Sequence, residues 1–376
     1  MKIAVVHNLP AGGMKRALYE QIKRLSERHA IDLFTLSTAD ESIWLLDPFV
    51  RHHEKINYKY PPHFPKSVMA IYKDLPKAYK LMAEKINKGG YDVVLVYPCY
   101  LTQAPFVLRY LTVPSVYYCP EPKREFYEKI ERVTNFWSYS LTYPFRLPIA
   151  EIDKTNTRYA TLVATLSQFM KKQIDEIYGI NSKVNYLAVD SKLFKPLEIK
   201  KENMVMTVGE LSLHKGHDFI IKSMAKIPTN IRPILTIVGF GGSEKKYLSK
   251  LAKTLGVTLV LKENISDREL VSLYNKARLF VYAAHSEPFG LVLLEAAACG
   301  LPAVAVDDGG VAEIVKNKLI GELVERDENK FSEIMELNLM RGEGREIKTK
   351  RHEYVEKNWS WEKSVEGLEK YLQEAR

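Results

Sequence analysis

The sequence predicts an α/β protein made of two Rossmann-like, doubly wound parallel-sheet domains. Three observations carry that prediction. An apolar run over 2–6, a turn holding Gly12-Gly13, a helically periodic stretch over 14–28 and a second apolar run over 31–36 give strand, glycine turn, helix, strand. The same order restarts with an apolar run over 204–208, a glycine-bounded loop over 209–216, a helix from His217 and a strand over 234–238. Between the two, a Lys-rich, Pro-containing stretch over 191–202 reads as a linker. A chain of 376 residues is long enough to build two hydrophobic cores.

The first domain is expected over 1–190, in chain order as follows. The turn 7–13 after the first strand lacks the G-x-G-x-x-G spacing and any Walker lysine, so Gly12 and Gly13 read either as a phosphate cradle or as a plain tight turn. Residues 51–88 are less regular and punctuated by Pro61-Pro62, Pro65 and Pro76. From 51 to 85 they carry eight Lys/Arg against three acids, interleaved with Tyr58, Tyr60, Phe64, Val68, Met69, Ile71 and Tyr72. That pattern fits an anionic membrane surface, RNA, or an ordinary solvated helix with its apolar side inward. Strands are expected over 91–97 and 113–118 with a helix between them. The turn 119–124 then falls at a strand's carboxyl end, which makes Glu121 and Arg124 site candidates. Residues 126–145 hold seven aromatics, among them Phe136, Trp137, Tyr139 and Tyr143, beside Lys129, Arg132 and Arg146. They read as a lid, an acceptor-binding segment or a core helix. A strand over 162–167, a helix over 168–178 ending at Gly179 and a strand over 184–189 complete the domain.

The second domain, expected over 191–359, continues with a loop at Gly239-Phe240-Gly241-Gly242, a strand over 258–261, a helix over 266–277 and a strand over 279–282. The chain then reaches Ser286-Glu287-Pro288-Phe289-Gly290-Leu291, followed by good helix formers to Cys299 and a stop at Gly300 and Pro302. This is a loop feeding a helix whose free N–H groups face an anion well. Glu287 precedes the helix and Glu295 lies inside it, at most about 12 Å apart at helical rise. Glu295 sits in a stretch, 291–306, that otherwise reads as core, and a carboxylate there needs a partner. The same residue, with Gly300 and Pro302, keeps that stretch from reading as a membrane span. A terminal helix is expected over 360–376.

Composition is that of a globular protein, and the formal charge of +9 admits nucleic acid, anionic membranes or phosphorylated substrates as partners. No RNA- or DNA-binding motif is present, so nucleic acid is not expected. Cys99, Cys119 and Cys299 lack metal or disulfide spacing and read as buried thiols of a reducing compartment. The strand-like start at Ile3 leaves no room for a signal peptide, so a cytosolic protein is expected, with peripheral attachment to the cytosolic membrane face as an extension.

The stretch from 286 to 313 resembles the signature of the retaining, nucleotide-sugar-dependent glycosyltransferases of family four. It has two Glu separated by seven residues (Glu287, Glu295), a Gly300–Pro302 turn, a strand over 303–306 and Gly309-Gly310-Val311-Ala312-Glu313. The resemblance extends to the serine-strand-helix, Val-Asp and Phe-x-Pro passage near 162–196 and to Trp359-Ser360-Trp361 before the last helix. It implies the GT-B fold, with two Rossmann-like domains facing a central cleft and the terminal helix over 360–376 returning to the first domain.

The resemblance also implies roles. Glu295 would hold the ribose hydroxyls and Glu287 the donor sugar, with backbone N–H groups of Phe289, Gly290 and Leu291 on sugar and phosphates. Lys215, in the loop opened by Gly209, matches the family's diphosphate-clamping lysine, while Glu210 stands where the family carries Arg. Gly12 and Gly13 would approach the donor, Gly239 would line the site, and the backbone near Lys262 and Glu263 would meet the base. Lys215 and the helix dipole would stabilise the charge growing on the leaving diphosphate. The turn 119–124 lacks the His that many members carry there, so no catalytic histidine is carried over; His7 and His285 read as structural. No cofactor and no metal are implied, the nucleotide-sugar being a substrate. The expectation is a retaining hexosyltransferase using a UDP- or GDP-linked sugar, with a lipid-linked or phospholipid acceptor favoured. The alternatives are a soluble sugar acceptor, or a catalytically idle sugar-nucleotide-binding module in which Glu210 repels the diphosphate.

Overall fold

The computed structural model describes residues 1–61, 63–128, 136–342 and 344–376, the side chains of 136–142 excepted. The chain forms two compact units, Met1–Leu187 with Trp361–Arg376, and Ala188–Ser360.

Unit 1 is a seven-stranded parallel sheet in the order β3-β2-β1-β4-β5-β6-β7. Its strands are β1 (Lys2–Asn8), β2 (Ala30–Leu36), β3 (His52–Ile56), β4 (Val93–Cys99), β5 (Ser115–Tyr118), β6 (Leu162–Thr165) and β7 (Lys183–Val184). β1 and β4 are buried nearly throughout, as the central strands of a sheet covered on both faces must be. The helices Leu75–Lys88 and Gln168–Tyr178 contribute Tyr79, Met82, Ile86, Met170 and Ile174 to the core beneath them. The last helix, Trp361–Ala375, buries Trp361, Val365, Leu368 and Leu372 at helical spacing. Its Glu369 binds Arg28 at 2.8 Å and His29 at 2.9 Å, tying the chain's end to the first helix–strand connection.

Several local readings change. β3 is an edge strand that the irregular reading of 51–88 passes over, because His52-His53-Glu54-Lys55-Ile56 buries only Ile56 and shows no apolar alternation. Between β4 and β5 the chain makes a short 3₁₀ turn, Phe106–Arg109, in place of a helix, in a segment bracketed by Pro105 and Pro114. The strand expected over 184–189 stops at Val184. Phe136–Arg158 is one helix despite Pro144 and Pro148. Of its aromatic-basic run, Lys129 and Arg132 lie outside the described residues, as do the side chains of Phe136, Trp137 and Tyr139.

Unit 2 is a six-stranded parallel sheet in the order β10-β9-β8-β11-β12-β13. Its strands are β8 (Met204–Val208), β9 (Ile234–Gly239), β10 (Leu259–Glu263), β11 (Leu279–Tyr282), β12 (Ala303–Val306) and β13 (Gly321–Val324). Both sheets reverse direction of growth beside their first strand, at β1/β4 and at β8/β11. In such folds the crevice outside the strands' carboxyl ends at that reversal is where ligands sit. Two parallel α/β sheets of this topology are the Rossmann-like pair of the GT-B class. Among the described residues no helix is long and apolar enough to cross a membrane.

Candidate functional site

The strongest constellation stands at the β8/β11 reversal of unit 2. The loop after β8 carries Lys215 and the loop after β11 carries Glu287. Lys215 Nζ donates to Glu287 Oε2 at 2.9 Å, and the Tyr282 hydroxyl, from the end of β11, donates to the same oxygen at 2.7 Å. Both charged side chains are mostly buried, 18% exposed for Lys215 and 12% for Glu287. An ammonium has three N–H donors, and this pair uses one. The two loops are also joined through the backbone, His285 N–H donating to His214 O at 2.7 Å.

The β11 loop is built to hold Glu287 in place. Ser286 has φ 46°, a left-handed conformation that costs a side-chain-bearing residue energy, and its N–H donates to Asp308 Oδ1 at 3.0 Å. Arg326 donates to the carbonyls of Ala283 and Ala284, each at 2.9 Å, and to Asp308 Oδ2 at 3.0 Å. Burial alone would raise the Asp308 pKa, but bonds from His285, the Ser286 N–H and Arg326 hold it at about 2. Gly309 lies so close that a Cβ would stand 2.4 Å from Glu287 O, and its φ of +91° also demands glycine. Gly310 N–H then donates to Glu287 O at 2.7 Å.

Gly290, at φ 96°, turns the chain into the helix Leu291–Ala298, which has no side-chain cap at its start and no acid in its first turn. Its leading N–H groups are therefore offered to whatever anion approaches. Phe289 is buried against Trp359, ring centroids 5.8 Å apart, so its side chain anchors the loop. Glu295 is 3% exposed and accepts a hydrogen bond from Tyr274 at 3.0 Å, which supplies the partner its burial requires.

The remaining expected residues of unit 2 divide. Gly209 lies under the Lys215 stem, where a Cβ would meet Cγ at 3.4 Å, and Gly239 packs against Leu211 and Gly209. Glu210 does not turn toward Lys215: its carbonyl takes His217 Nε2 at 3.0 Å, and its carboxylate has no partner among the described residues. Burial depresses the His217 pKa to about 4, so the ring is neutral at ordinary pH. Lys262 and Glu263 are engaged elsewhere, Lys262 with Glu269 at 2.8 Å and Glu263 with Lys245, leaving only their backbone for a ligand.

In unit 1, Gly12 and Gly13 have open space where a side chain would stand, so the backbone there can be approached closely. Two residues on, Lys15 is fully buried, its Nζ 3.3 Å from both His7 Nε2 and Glu41 Oε1. Burial lowers the Lys15 pKa against the pull of Glu41, and burial with Lys15 beside it drives the His7 pKa well down. Sequence reading missed this cluster and Tyr282 alike, because nothing in their spacing marks them. The ligating atoms of Glu41, Asp47 and His53 also lie within 4.8 Å of one another. Glu121 binds Arg124 at 2.5 Å in the turn after β5. That turn is steadied by buried Asp153, which accepts from Tyr178 at 2.5 Å, Ala104 N at 3.0 Å and Lys123 N at 3.2 Å. Burial pushes the Asp153 pKa up to about 6. The three cysteines are free and buried.

Residues 189–358 match the family described as glycosyl transferases group 1. The chain is similar to the D-inositol 3-phosphate glycosyltransferase of Thermobifida fusca, 30% identical over 177 residues, 44% of this chain and 41% of that protein. It spans about a third to a half of the length of the first curated relatives it matches. Among solved structures it resembles the sucrose-phosphate synthase of Thermosynechococcus elongatus, with TM-score 0.78, 19% identity, and 99% and 98% of the two chains covered. It also resembles the Anabaena protein HepE in complex with UDP and glucose, with TM-score 0.74, 18% identity and 99% of each chain covered.

Proposed function

We propose, on the premise that residues 189–358 belong to glycosyl transferases group 1, that this chain moves a glycosyl group from a nucleoside-diphosphate sugar to an acceptor hydroxyl. The observation that carries the reading is the Lys215–Glu287 pair, with Tyr282 behind it, at the β8/β11 reversal. As the glycosidic bond breaks, negative charge develops on the leaving diphosphate. Lys215, with two N–H donors to spare, and the start of the helix Leu291–Ala298 meet that charge without a metal. Glu287, fixed by its own loop, binds donor-sugar hydroxyls, and Glu295 binds the ribose. Glu210 is then tolerable because its carboxylate does not compete for Lys215. No carboxylate acts as nucleophile in this scheme; the diphosphate assists attack from its own face and configuration is retained.

UDP is the donor nucleotide we favour, supported by the HepE complex. For the acceptor we favour a soluble sugar or polyol phosphate, supported by the names of the inositol-phosphate and sucrose-phosphate relatives. One observation keeps the lipid-linked acceptor as a second reading. Of the apolar and aromatic residues between 58 and 72, Tyr58 and Ile71 are core, but Phe64 and Met69 are 60% and 56% exposed, and Phe64 packs on exposed Phe145 at 5.0 Å, with Lys66 and Lys73 close by in the sequence.

The test is a thermal-shift screen against UDP-, GDP-, ADP- and dTDP-sugars, repeated on Lys215→Ala and Glu295→Ala. One nucleotide should stabilise the parent, by about 2.7 kcal/mol at a hundredfold excess over Kd, and the variants should lose most of that shift. NMR of the product formed in EDTA should show the donor's anomeric configuration. No shift with any donor sinks the donor-site reading, a shift without turnover favours the idle module, and inverted product sinks the mechanism alone. Transfer to vesicle-borne but not soluble acceptors would select the lipid reading.

A further inference from the structure

At the opposite edge of the unit 2 sheet from Lys215 and Glu287, the strands' amino ends surround a cavity of about 470 Å³. Six cationic side chains line it: Lys201 before β8, Arg278 before β11, Lys318 before β13, Arg341 at the end of the helix Glu328–Arg341, and Lys348 and Arg351 on the helix Arg345–Asn358. One carboxylate, Glu322, faces them.

Part of this charge has structural duties. Lys201 donates to Ala277 O at 2.6 Å, Arg278 to Leu339 O and to Asn203 Oδ1, and buried Arg351 to Gly300 O at 2.7 Å and to Leu319 O. Those bonds satisfy carbonyls at helix and loop ends that would otherwise lack donors. Arg341 reaches Glu322 at 3.4 Å. Lys318 and Lys348 have no such duty: neither makes a hydrogen bond or ion pair among the described residues, and Lys348 is half-buried. Like charges gathered in a concavity repel unless something anionic joins them. The volume falls within the range of small-molecule sites and far exceeds what one water needs.

We infer that this cavity is a second ligand site, for a small molecule carrying two or more phosphate charges, separate from the donor site at the other edge of the same sheet. Lys318 and Lys348 would bind the phosphates as mobile ammoniums, with Arg341 as the exchangeable guanidinium. The same phosphate chemistry can come from a free phosphorylated metabolite or from a lipid headgroup.

The experiment is calorimetric titration of the full chain with pyrophosphate, and sedimentation with phosphatidylcholine vesicles with and without phosphatidic acid. The proteins compared are the parent, Lys318→Glu/Lys348→Glu, Lys215→Ala, and Lys250→Glu/Lys253→Glu, an equal charge change on an exposed helix face. The expected result is a Kd for pyrophosphate, or for the acidic vesicles, that rises about tenfold or more in the first variant, as loss of about 1.4 kcal/mol of attraction gives. It should stay within about twofold in the other two variants. Which probe responds identifies the source of the phosphate. No binding of either probe by the parent, or equal losses in Lys318→Glu/Lys348→Glu and Lys250→Glu/Lys253→Glu, overturns the inference. So does a loss confined to Lys215→Ala. Circular dichroism of each variant separates lost binding from lost folding.

Discussion

Tyr282→Phe tests the hydroxyl's part in the Lys215–Glu287 constellation. The ring stays stacked on Phe280, centroids 6.2 Å apart, and only the hydroxyl that donates to Glu287 Oε2 at 2.7 Å is removed. Tyr282 is 3% exposed, so water does not readily take the hydroxyl's place. A hydrogen bond to a charged group contributes about 1.5–3 kcal/mol, and Lys215 remains on the same oxygen, so the lower end of that range is expected. We expect Tyr282→Phe to lower the local opening free energy of residues 279–298 by about 1.5 kcal/mol, read from hydrogen exchange of peptides covering them. In the Glu287→Ala background the same change should cost less than about 0.5 kcal/mol, leaving a coupling near 1 kcal/mol. Additive effects, within about 0.3 kcal/mol, would refute the claim that Tyr282 holds Glu287.

Gly309→Ala should destabilise unit 2 by about 2 kcal/mol or more, since it combines a positive φ with a Cβ 2.4 Å from Glu287 O; a drop in Tm of several degrees in a thermal melt checks it. Asp308, held at about 2 in the fold against an ordinary value near 3.8, stabilises the folded state above pH ~4, and that contribution is lost as pH falls from there through about 2. Acid titration of Asp308→Asn should show a flatter loss of stability across that window. Asp153 has the opposite sign: its pKa rises to about 6, so its contribution is largest below pH ~4 and declines as pH rises through about 6. Asp153→Asn should remove that decline, measurable as urea midpoints between pH 4 and pH 7.

The class of fold was legible in the sequence. Strand-turn-helix order was legible twice because central parallel strands are buried on both faces and read as continuous apolar runs, as Ile3–Val6 and Met204–Val208 do. The sequence also marked Glu287, Gly290 and Glu295, whose residue types and spacing are constrained by a loop that must turn into a helix, whereas Lys215 was marked by the resemblance to family four alone. Where burial is one-sided or absent the signal failed, as at the polar edge strand His52–Ile56. Which side chains meet follows from the order of the strands in each sheet. Lys215 and Glu287 are 72 residues apart and become partners because β8 and β11 are neighbours in the sheet. Tyr282, Asp308 and Arg326 join them from three further positions, and Lys201 meets Lys348 across one cavity from 147 residues away. A parallel sheet gathers all its strand ends at two edges regardless of separation along the chain. The chemistry at each edge is therefore written in the strand order, which periodicity and composition do not carry.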